Sequence, residues 1–351
     1  MIIGVCGFGS TGSSAVSDFL SEYGDFVQVL DDIEFTWVSN VDSLIDLEYH
    51  LFNPHGRTGD SIVAIQRYSE FAKKETRLLC GLGIKEKDVL NSVKRFLDSI
   101  TLVKWYWYDF RYKKRNPLIQ RLLDKYIYEI VPKKEIKVGN RLKTRLMSEV
   151  SLSIKPHCFY ENARNHVKDL LKLMGATLDR PLILDQPFSG NNPQACFPFY
   201  DDAYAIVVDR DPRDNYVFAK TKLLGRNHFM AIDSVEDFIK YYKALRDDQP
   251  YRESNKRVLR VQFEELVYNY DEATKRIVDF LHFPNNPNKK SIFNPDMSIN
   301  NTQVWKRFPE FEKDIEKIEI ELSEYLFDFE KYDVKPCTRG DMFFGKSPLR
   351  K

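Results

Sequence analysis

A short segment near the N-terminus, rich in glycine and hydroxyl side chains, has the composition of an anion-binding loop. Gly7 and Gly12 are separated by four residues, and Ser13 and Ser14 follow the second glycine. Glycines let backbone N–H groups turn towards a ligand, and a helix that starts after such a loop presents its N-terminus to negative charge. The predicted anion-binding residues are Gly9, Ser10, Thr11, Gly12, Ser13 and Ser14.

The spacing of the two glycines has the outline of a P-loop, GxxxxGK[ST], but Ser13 occupies the position of the lysine. Enzymes that act on nucleoside triphosphates place this lysine against the β- and γ-phosphates. The absence of this lysine therefore disfavours an ATPase or kinase. It favours a ligand whose anionic group in this loop carries less charge than a triphosphate. A glycine-rich turn without any ligand is the alternative that this loop alone leaves open.

A second charged segment follows the apolar run 203–208, and residues 209–214 read DRDPRD. An arginine at the carboxyl end of a central strand points into the crevice where α/β sheets bind ligands, and its guanidinium can hold a phosphate through two parallel hydrogen bonds. Arg210 is that arginine. Pro212 can start the next helix, and Asp214 would lie in its first turn, where negative charge is favoured. A salt-bridged strand end is the alternative.

The elements that position these two segments follow an α/β pattern. The apolar run 2–6 is typical of a buried parallel strand, and apolar residues at helical spacing follow it as far as Gly24. Further strands are predicted at 26–30, 182–185, 203–208 and 258–261. The order predicts a doubly wound, mostly parallel central sheet flanked by helices. We expect a single domain over residues 1–351, with a largely helical insertion at 43–178.

An aromatic and basic stretch, 105–115, lies within the expected insertion and is followed by further Lys and Arg residues up to Arg145. Stacked aromatics with basic side chains suit a sugar-rich or anionic acceptor, single-stranded nucleic acid, or an amphipathic surface near a membrane. A packed helical face with solvated charges is the simpler interpretation.

Bulk properties exclude several classes of function. The net charge of +1 provides no global basic field, so we expect no nucleic-acid partner. The five cysteines include no CxxC pair, which disfavours a disulfide framework or zinc site and favours a reducing compartment. The six histidines are dispersed without ligand spacing, so we expect no metal. Without an apolar run of about 18 residues we expect no membrane span, although peripheral contact with a membrane is possible. We expect a cytoplasmic location.

Taken in order, these segments resemble the family of sulfotransferases that use 3′-phosphoadenosine 5′-phosphosulfate (PAPS), closest in style to its carbohydrate sulfotransferases. Gly9–Ser14 is similar to the family's loop for the 5′-phosphosulfate. Arg210–Asp214 is similar to its R-x-P-R-D segment, whose first arginine holds the 3′-phosphate. Leu259–Leu266 and the following helix resemble its strand and "YEDL"-like turn. Trp305-Lys306 resembles its late W-[KR] pair, in a loop that closes over the nucleotide.

The resemblance covers residues 1–35 and about 181–330, and two positions depart from the family pattern. Ser10 occupies a position where the family usually has Lys or Arg. Phe218 occupies a position where it often has a serine that binds the 3′-phosphate, for which Lys220 or Lys222 is a possible substitute.

The resemblance implies transfer of a sulfuryl group from PAPS to an acceptor hydroxyl on a carbohydrate or glycolipid, with adenosine 3′,5′-bisphosphate (PAP) as product and no metal. Lys306 would contribute a cation and Trp305 would shield the site. The family's glycan members place a carboxylate base after the second strand, which points to Glu34 first, then Asp32, or Asp31. Asp185 is a further candidate because it ends a central strand.

Two other classes of function stay open at this stage. A kinase or nucleotide hydrolase would need the P-loop outline to bind a triphosphate despite Ser13. A non-catalytic protein with this fold would bind nucleotide or glycan without turnover, and the departures at Ser10 and Phe218 favour it.

Overall fold

The computed structural model describes residues 1–22, 26–29, 33–53, 57, 59–107, 118, 122, 125, 148–222, 230–247, 254–284 and 292–332. Asp31 and Asp32, and most of the aromatic and basic stretch after Trp107, lie outside the described residues, as does the side chain of Lys222.

Helices follow most strands of the described chain, and several helices follow one another directly. In chain order they are β1 (Ile2–Gly7), α1 (Ser13–Ser21), β2 (Val27–Gln28), α2 (Leu44–Phe52), α3 (Gly59–Gly81), α4 (Glu86–Ile100), β3 (Val103–Trp107), β4 (Ser148–Leu152), α5 (Phe159–Leu173), β5 (Leu182–Asp185), β6 (Ala203–Asp209), α6 (Pro212–Lys222), α7 (Val235–Arg246), β7 (Val258–Gln262), α8 (Phe263–Tyr268), α9 (Tyr270–Phe280), α10 (Pro295–Ser298) and α11 (Glu312–Glu321). Short 3₁₀ turns include Pro193–Phe199 and Val304–Arg307.

Five parallel strands form the central sheet in the order β2-β5-β1-β6-β7. Its inner strands β5, β1 and β6 are buried apolar runs, as expected where helices cover both faces of a parallel sheet, whereas the edge strands β2 and β7 are half-buried. The prediction of an α/β fold with a mostly parallel sheet is therefore confirmed. β5 has the predicted bounds, whereas β2 spans Val27–Gln28 within the described part, 26–29, of its predicted run.

Alternate residues of each central strand enter opposite cores, because successive side chains point to opposite faces of a sheet. In β1, Ile3 and Val5 join a core with residues of α1, α8 and α9. Ile2 and Cys6 join a second core with residues of α2 to α5. Helices thus cover both faces, which gives the doubly wound arrangement.

The helices α2 to α5 fall within the stretch 43–178, together with an antiparallel pair formed by β3 and β4. This pair contains Trp105, opposite Val150, so the start of the aromatic stretch is a strand rather than a helical face. The assignment of 43–178 as an insertion within one domain stays a prediction.

His166 lies inside this helical layer and has partners that the sequence did not reveal. Its ring nitrogens contact the Tyr68 hydroxyl at 2.7 Å and the Ser92 hydroxyl at 2.9 Å, and its ring stacks on Phe96. Burial lowers the pKa of His166 to about 3. A neutral, fully bonded imidazole in the core is a structural group, so His166 takes no part in the candidate site.

A third core joins α6 and α7 to α11 near the C-terminal end of the described chain. This core holds the segment that carries Trp305 against α6. The described part of the chain contains no helix with the length and apolar character that a membrane crossing needs.

Candidate anion-binding site

The glycine-rich loop and the charged segment 209–214 meet at one edge of the sheet. The glycine-rich loop 8–12 follows β1, and Arg210 follows β6, which is the hydrogen-bonded neighbour of β1. The chain leaves β1 towards β2 on one side of the sheet and leaves β6 towards β7 on the other. Ligands of open α/β sheets bind in the crevice that such diverging connections create.

The loop has the backbone conformation that its glycines predict. Gly9 and Gly12 have φ values of 83° and 85°, in the left-handed region that favours glycine. A Cβ added to Gly12 would also lie 2.6 Å from the ring of Phe263, so this position accepts no side chain. Ser10 shares the positive φ, at 55°, and its buried hydroxyl has no hydrogen-bond partner in the described chain.

Side chains that follow β6 donate hydrogen bonds to the carbonyl groups of this loop. Asn215 Nδ2 donates to the Gly9 carbonyl at 2.9 Å, and Arg210 Nη1 donates to the Ser10 carbonyl at 3.0 Å. Within the described residues, no acceptor is bonded to the backbone N–H groups of the segment Gly9–Ser13. A run of N–H donors at a helix start, with its carbonyls held elsewhere, forms a concave site for an anion.

Arg210 joins the loop to the C-terminal segment. Its side chain is 3% exposed, and its other terminal nitrogen donates to the carbonyl of Asn301. The guanidinium lies 4.7 Å from the ring centre of Phe218 and 5.3 Å from that of Phe263. Phe218, at the family's serine position, is therefore a flat apolar support for Arg210. The guanidinium Nε is buried without a partner in the described chain.

Asp214 has a tertiary role besides its position in the first turn of α6. Its fully buried carboxylate accepts hydrogen bonds from the backbone N–H groups of Gln303 and Val304. Burial raises the pKa of Asp214 to about 7, although the nearby charge of Arg210 opposes this shift. Asp214 thus holds the turn that immediately precedes Trp305.

Trp305 and Lys306 lie in the 3₁₀ turn Val304–Arg307. The indole of Trp305 packs on the guanidinium of Arg213 at 4.1 Å, and Lys306 Nζ donates to Gln303 Oε1 at 2.6 Å. Lys220, the possible substitute for the missing serine, donates to the backbone of Asp233 and lies near the ring of Tyr216 instead of near Arg210.

A buried ion pair lies beneath the loop. Arg246, at the end of α7, donates to Asp209 at 2.7 Å, and its guanidinium packs on the Phe8 ring at 4.0 Å. Asp209 in turn accepts the backbone N–H of Arg210. No sequence pattern predicts this pairing, because Arg246 lies on an amphipathic helix far from the loop in the chain.

The two described candidate bases occupy different surroundings. Asp185 ends β5 and lies close to the Cys6 thiol on β1. Burial is the main cause of the raised pKa of Cys6, and the negative charge of Asp185 adds to it. Glu34 lines a small cavity with Glu75 and Met174, and desolvation of its carboxyl group there raises its pKa. No contact in the described residues joins Glu34 to the glycine-rich loop.

Gln186 is a site residue that the sequence reasoning missed. It follows β5 with a φ of 49°, a strained value for a residue other than glycine. Its Oε1 accepts from the Gly7 N–H at 3.2 Å, and its Nε2 donates to Ser13 Oγ at 3.0 Å. The available signal was its position, directly after a central strand and before Pro187.

The described residues contain no group of His, Cys, Asp and Glu side chains that could hold a metal ion. The site is built instead from backbone donors, hydroxyls and one buried guanidinium, which together suit an organic anion.

Residues 117–287 match the sequence model described as the sulfotransferase family. The predicted resemblance to the sulfotransferase family is confirmed, whereas the closer likeness to its carbohydrate sulfotransferases stays a prediction. The matched segment contains Gln186, Arg210 and Asp214, whereas the glycine-rich loop and Trp305-Lys306 lie outside it. No curated protein matches the sequence.

Solved structures of sulfotransferases are similar to the chain at low identity. The sulfotransferase domain from the curacin biosynthetic pathway has 10% identity and a TM-score of 0.37, over 93% of this chain and 98% of that one. The sulfotransferase STF9 from Mycobacterium avium has 13% identity and a TM-score of 0.37, over 97% and 78%. A sulfotransferase from Alicyclobacillus acidocaldarius has 12% identity and a TM-score of 0.34, over 94% and 97%.

Proposed function

We propose that this chain transfers a sulfuryl group from PAPS to an acceptor hydroxyl. The observation that carries the proposal is the position of Arg210 at the crevice between β1 and β6, bonded to the carbonyl of Ser10 in the glycine-rich loop. A guanidinium beside a run of backbone N–H donors suits a ligand with two separate anionic groups. PAPS has this character, with a 3′-phosphate and a 5′-phosphosulfate.

The donor would bind with its two ends on different elements. The N–H groups from Gly9 to Ser13 and the N-terminus of α1 favour the 5′-phosphosulfate. Arg210 would hold the 3′-phosphate, where its Nε offers an unused donor and the rings of Phe218 and Phe263 keep the guanidinium in place. Trp305 would shield the nucleotide from the C-terminal side.

The reaction is an in-line displacement at sulfur. The acceptor oxygen forms a bond to sulfur, the bond from sulfur to the 5′-phosphate oxygen breaks, and PAP leaves with the electron pair. Positioning and stabilisation of the leaving-group charge dominate the catalysis of such transfers. The backbone donors of the loop would supply this stabilisation, and Lys306 would add a cation, because Ser10 provides none.

The acceptor hydroxyl also loses a proton, and a carboxylate would take it. We assign this role to Asp185, because it ends the strand beside β1 and precedes Gln186, whose side chain touches the loop. Glu34 and Asp32 are the competing candidates. Single substitutions to Asn or Gln would separate the three, since loss of the base lowers kcat by about 100-fold or more and leaves donor affinity nearly unchanged.

A carbohydrate or glycolipid hydroxyl is the proposed acceptor class. The support is the availability of carboxylates, rather than a histidine, near the ends of β2 and β5. Transfer of labelled sulfate onto a panel of glycans and glycolipids tests it directly, with phenolic acceptors as the comparison.

Calorimetric titration of PAP tests the donor site, with ATP and magnesium as the competing ligand. We expect micromolar binding of PAP and a loss of about 10-fold to 100-fold in Arg210→Lys, which keeps the charge but loses the planar fork. Arg57→Ala is the control, because this arginine is exposed and pairs only with Asp60 in the described chain. ATP binding without PAP binding would favour a P-loop kinase. PAP binding without transfer to any acceptor would favour a non-catalytic protein.

A further inference from the structure

Gln186 makes two hydrogen bonds whose directions are fixed by chemistry. The backbone N–H of Gly7 can only donate, so the amide atom that meets it at 3.2 Å is the oxygen Oε1. The other amide atom, Nε2, therefore faces Ser13 Oγ at 3.0 Å. An amide nitrogen can only donate, so the Ser13 oxygen is the acceptor in this bond.

This bond determines the remaining hydrogen-bonding capacity of the Ser13 hydroxyl. Its oxygen already accepts from Gln186, so its own O–H must donate to something else. A serine in the first turn of a helix could donate to a carbonyl of the preceding turn. In the described chain, however, the Gly9 and Ser10 carbonyls accept from Asn215 and Arg210 and not from Ser13. In the described residues no acceptor is bonded to the Ser13 hydroxyl. Its proton is therefore available to an anion in the loop.

We infer that Gln186 is a positioning residue that orients Ser13 as a hydrogen-bond donor to the 5′-phosphosulfate. This inference rests on the proposed function. Ser13 occupies the P-loop lysine position, so a neutral, oriented hydroxyl does the work that a cation does in triphosphate enzymes. The strained φ of Gln186 agrees with a side chain held in place for a purpose, because such strain persists where surrounding contacts enforce it.

Gln186→Glu reverses the proposed polarity with almost no change of shape. A carboxylate only accepts hydrogen bonds. One oxygen would still accept from the Gly7 N–H, and the other would accept from the Ser13 O–H. Ser13 could then no longer donate to the ligand, and a negative charge would lie beside the loop. We expect PAP affinity at pH 8 to fall by about 100-fold or more.

The same variant provides a readout that a merely structural role would not give. As the pH falls from 8 to 5, protonation of the introduced carboxyl would restore a donor towards Ser13. The ratio of wild-type to variant affinity for PAP should therefore shrink at low pH, while PAP's own protonation cancels in the ratio. Asn165→Asp, an equivalent amide-to-carboxyl change at an exposed position of α5, should keep its ratio near one throughout.

The outcomes separate this inference from the proposed function. Failure of the wild-type protein to bind PAP would overturn the donor assignment and the inference with it. Wild-type binding with an unchanged affinity in Gln186→Glu, or a loss that persists at low pH in a folded variant, would overturn the role of Gln186 alone. If Gln186→Glu does not fold, Ser13→Ala decides: we expect about a 10-fold loss of PAP affinity, and an unchanged affinity rejects the inference.

Discussion

The Asp214 carboxylate accepts the backbone N–H of Gln303 at 2.8 Å, although 89 residues of sequence separate the two. This bond fixes the turn that carries Trp305 and Lys306 to the start of α6, directly beside Arg210. Asp214, the last acid of the DRDPRD segment, therefore holds the site together as well as stabilising the first turn of its helix.

Asp214→Asn should change how stability depends on pH. The folded chain keeps the Asp214 proton up to a pKa of about 7, while the unfolded chain releases it near the ordinary pKa of 3.8. The folded state therefore binds more protons between these values, so this group makes folding less favourable as the pH rises through them. Relative to the variant, the wild-type free energy of unfolding should decrease from pH 4 to pH 7 in urea titrations. Parallel curves would contradict the shift.

His166 should contribute to the free energy of unfolding with the opposite pH dependence to Asp214. Burial holds the pKa of His166 at about 3 against an ordinary value of 6.5, so its contribution to stability is complete above pH 6.5 and is lost as the pH falls towards 3. We expect wild-type stability to fall below pH 6.5 by up to about 1.4 kcal/mol per pH unit from this group. In His166→Gln that component should disappear, as urea titrations at several pH values would reveal. A pH dependence retained by the folded variant would show that other groups cause it.

Gly12→Ala should abolish PAP binding and destabilise the protein. The new Cβ would meet Phe263 at 2.6 Å in a backbone conformation with φ of 85°. Gly83→Ala is the matched control, because its φ is 86° and no atom lies within 4 Å of the new Cβ. The control should lose only the strain of the left-handed conformation, about 1–2 kcal/mol, and should keep PAP binding. Equal losses in thermal unfolding would mean that the Phe263 contact is unimportant.

Lys306→Ala should lower the rate of sulfate transfer more than the affinity for the donor. In the described chain its ammonium group donates to the side chain of Gln303 and lies 5.7 Å from the ring centre of Trp305, so we expect the substitution to leave the fold intact. Loss of a cation that stabilises leaving-group charge typically costs about 100-fold in kcat. Transfer assays beside PAP titrations would separate the two effects, with the exposed Lys317→Ala as control. An unchanged kcat would remove Lys306 from the mechanism.

Local patterns in the sequence were sufficient for the elements that carry the site. Gly9 and Gly12 predict a turn with positive φ, and the structure has it, because glycine alone adopts that conformation without penalty. The buried run 182–185 predicts β5, which has those bounds. Both signals depend on neighbouring residues and on the two-residue period of a strand, so they can be read along the chain.

The sequence alone also determined that Arg210 and the glycine-rich loop follow central strands, and hence that they share one edge of the sheet. Only the tertiary structure decided that Phe218 supports Arg210, that Asp214 holds Gln303, and that Gln186 orients Ser13. These contacts join residues far apart in the chain, and their geometry depends on strand order and helix packing. Hydrogen-bond direction and burial arise only when such distant groups meet, so no local pattern of residues encodes them.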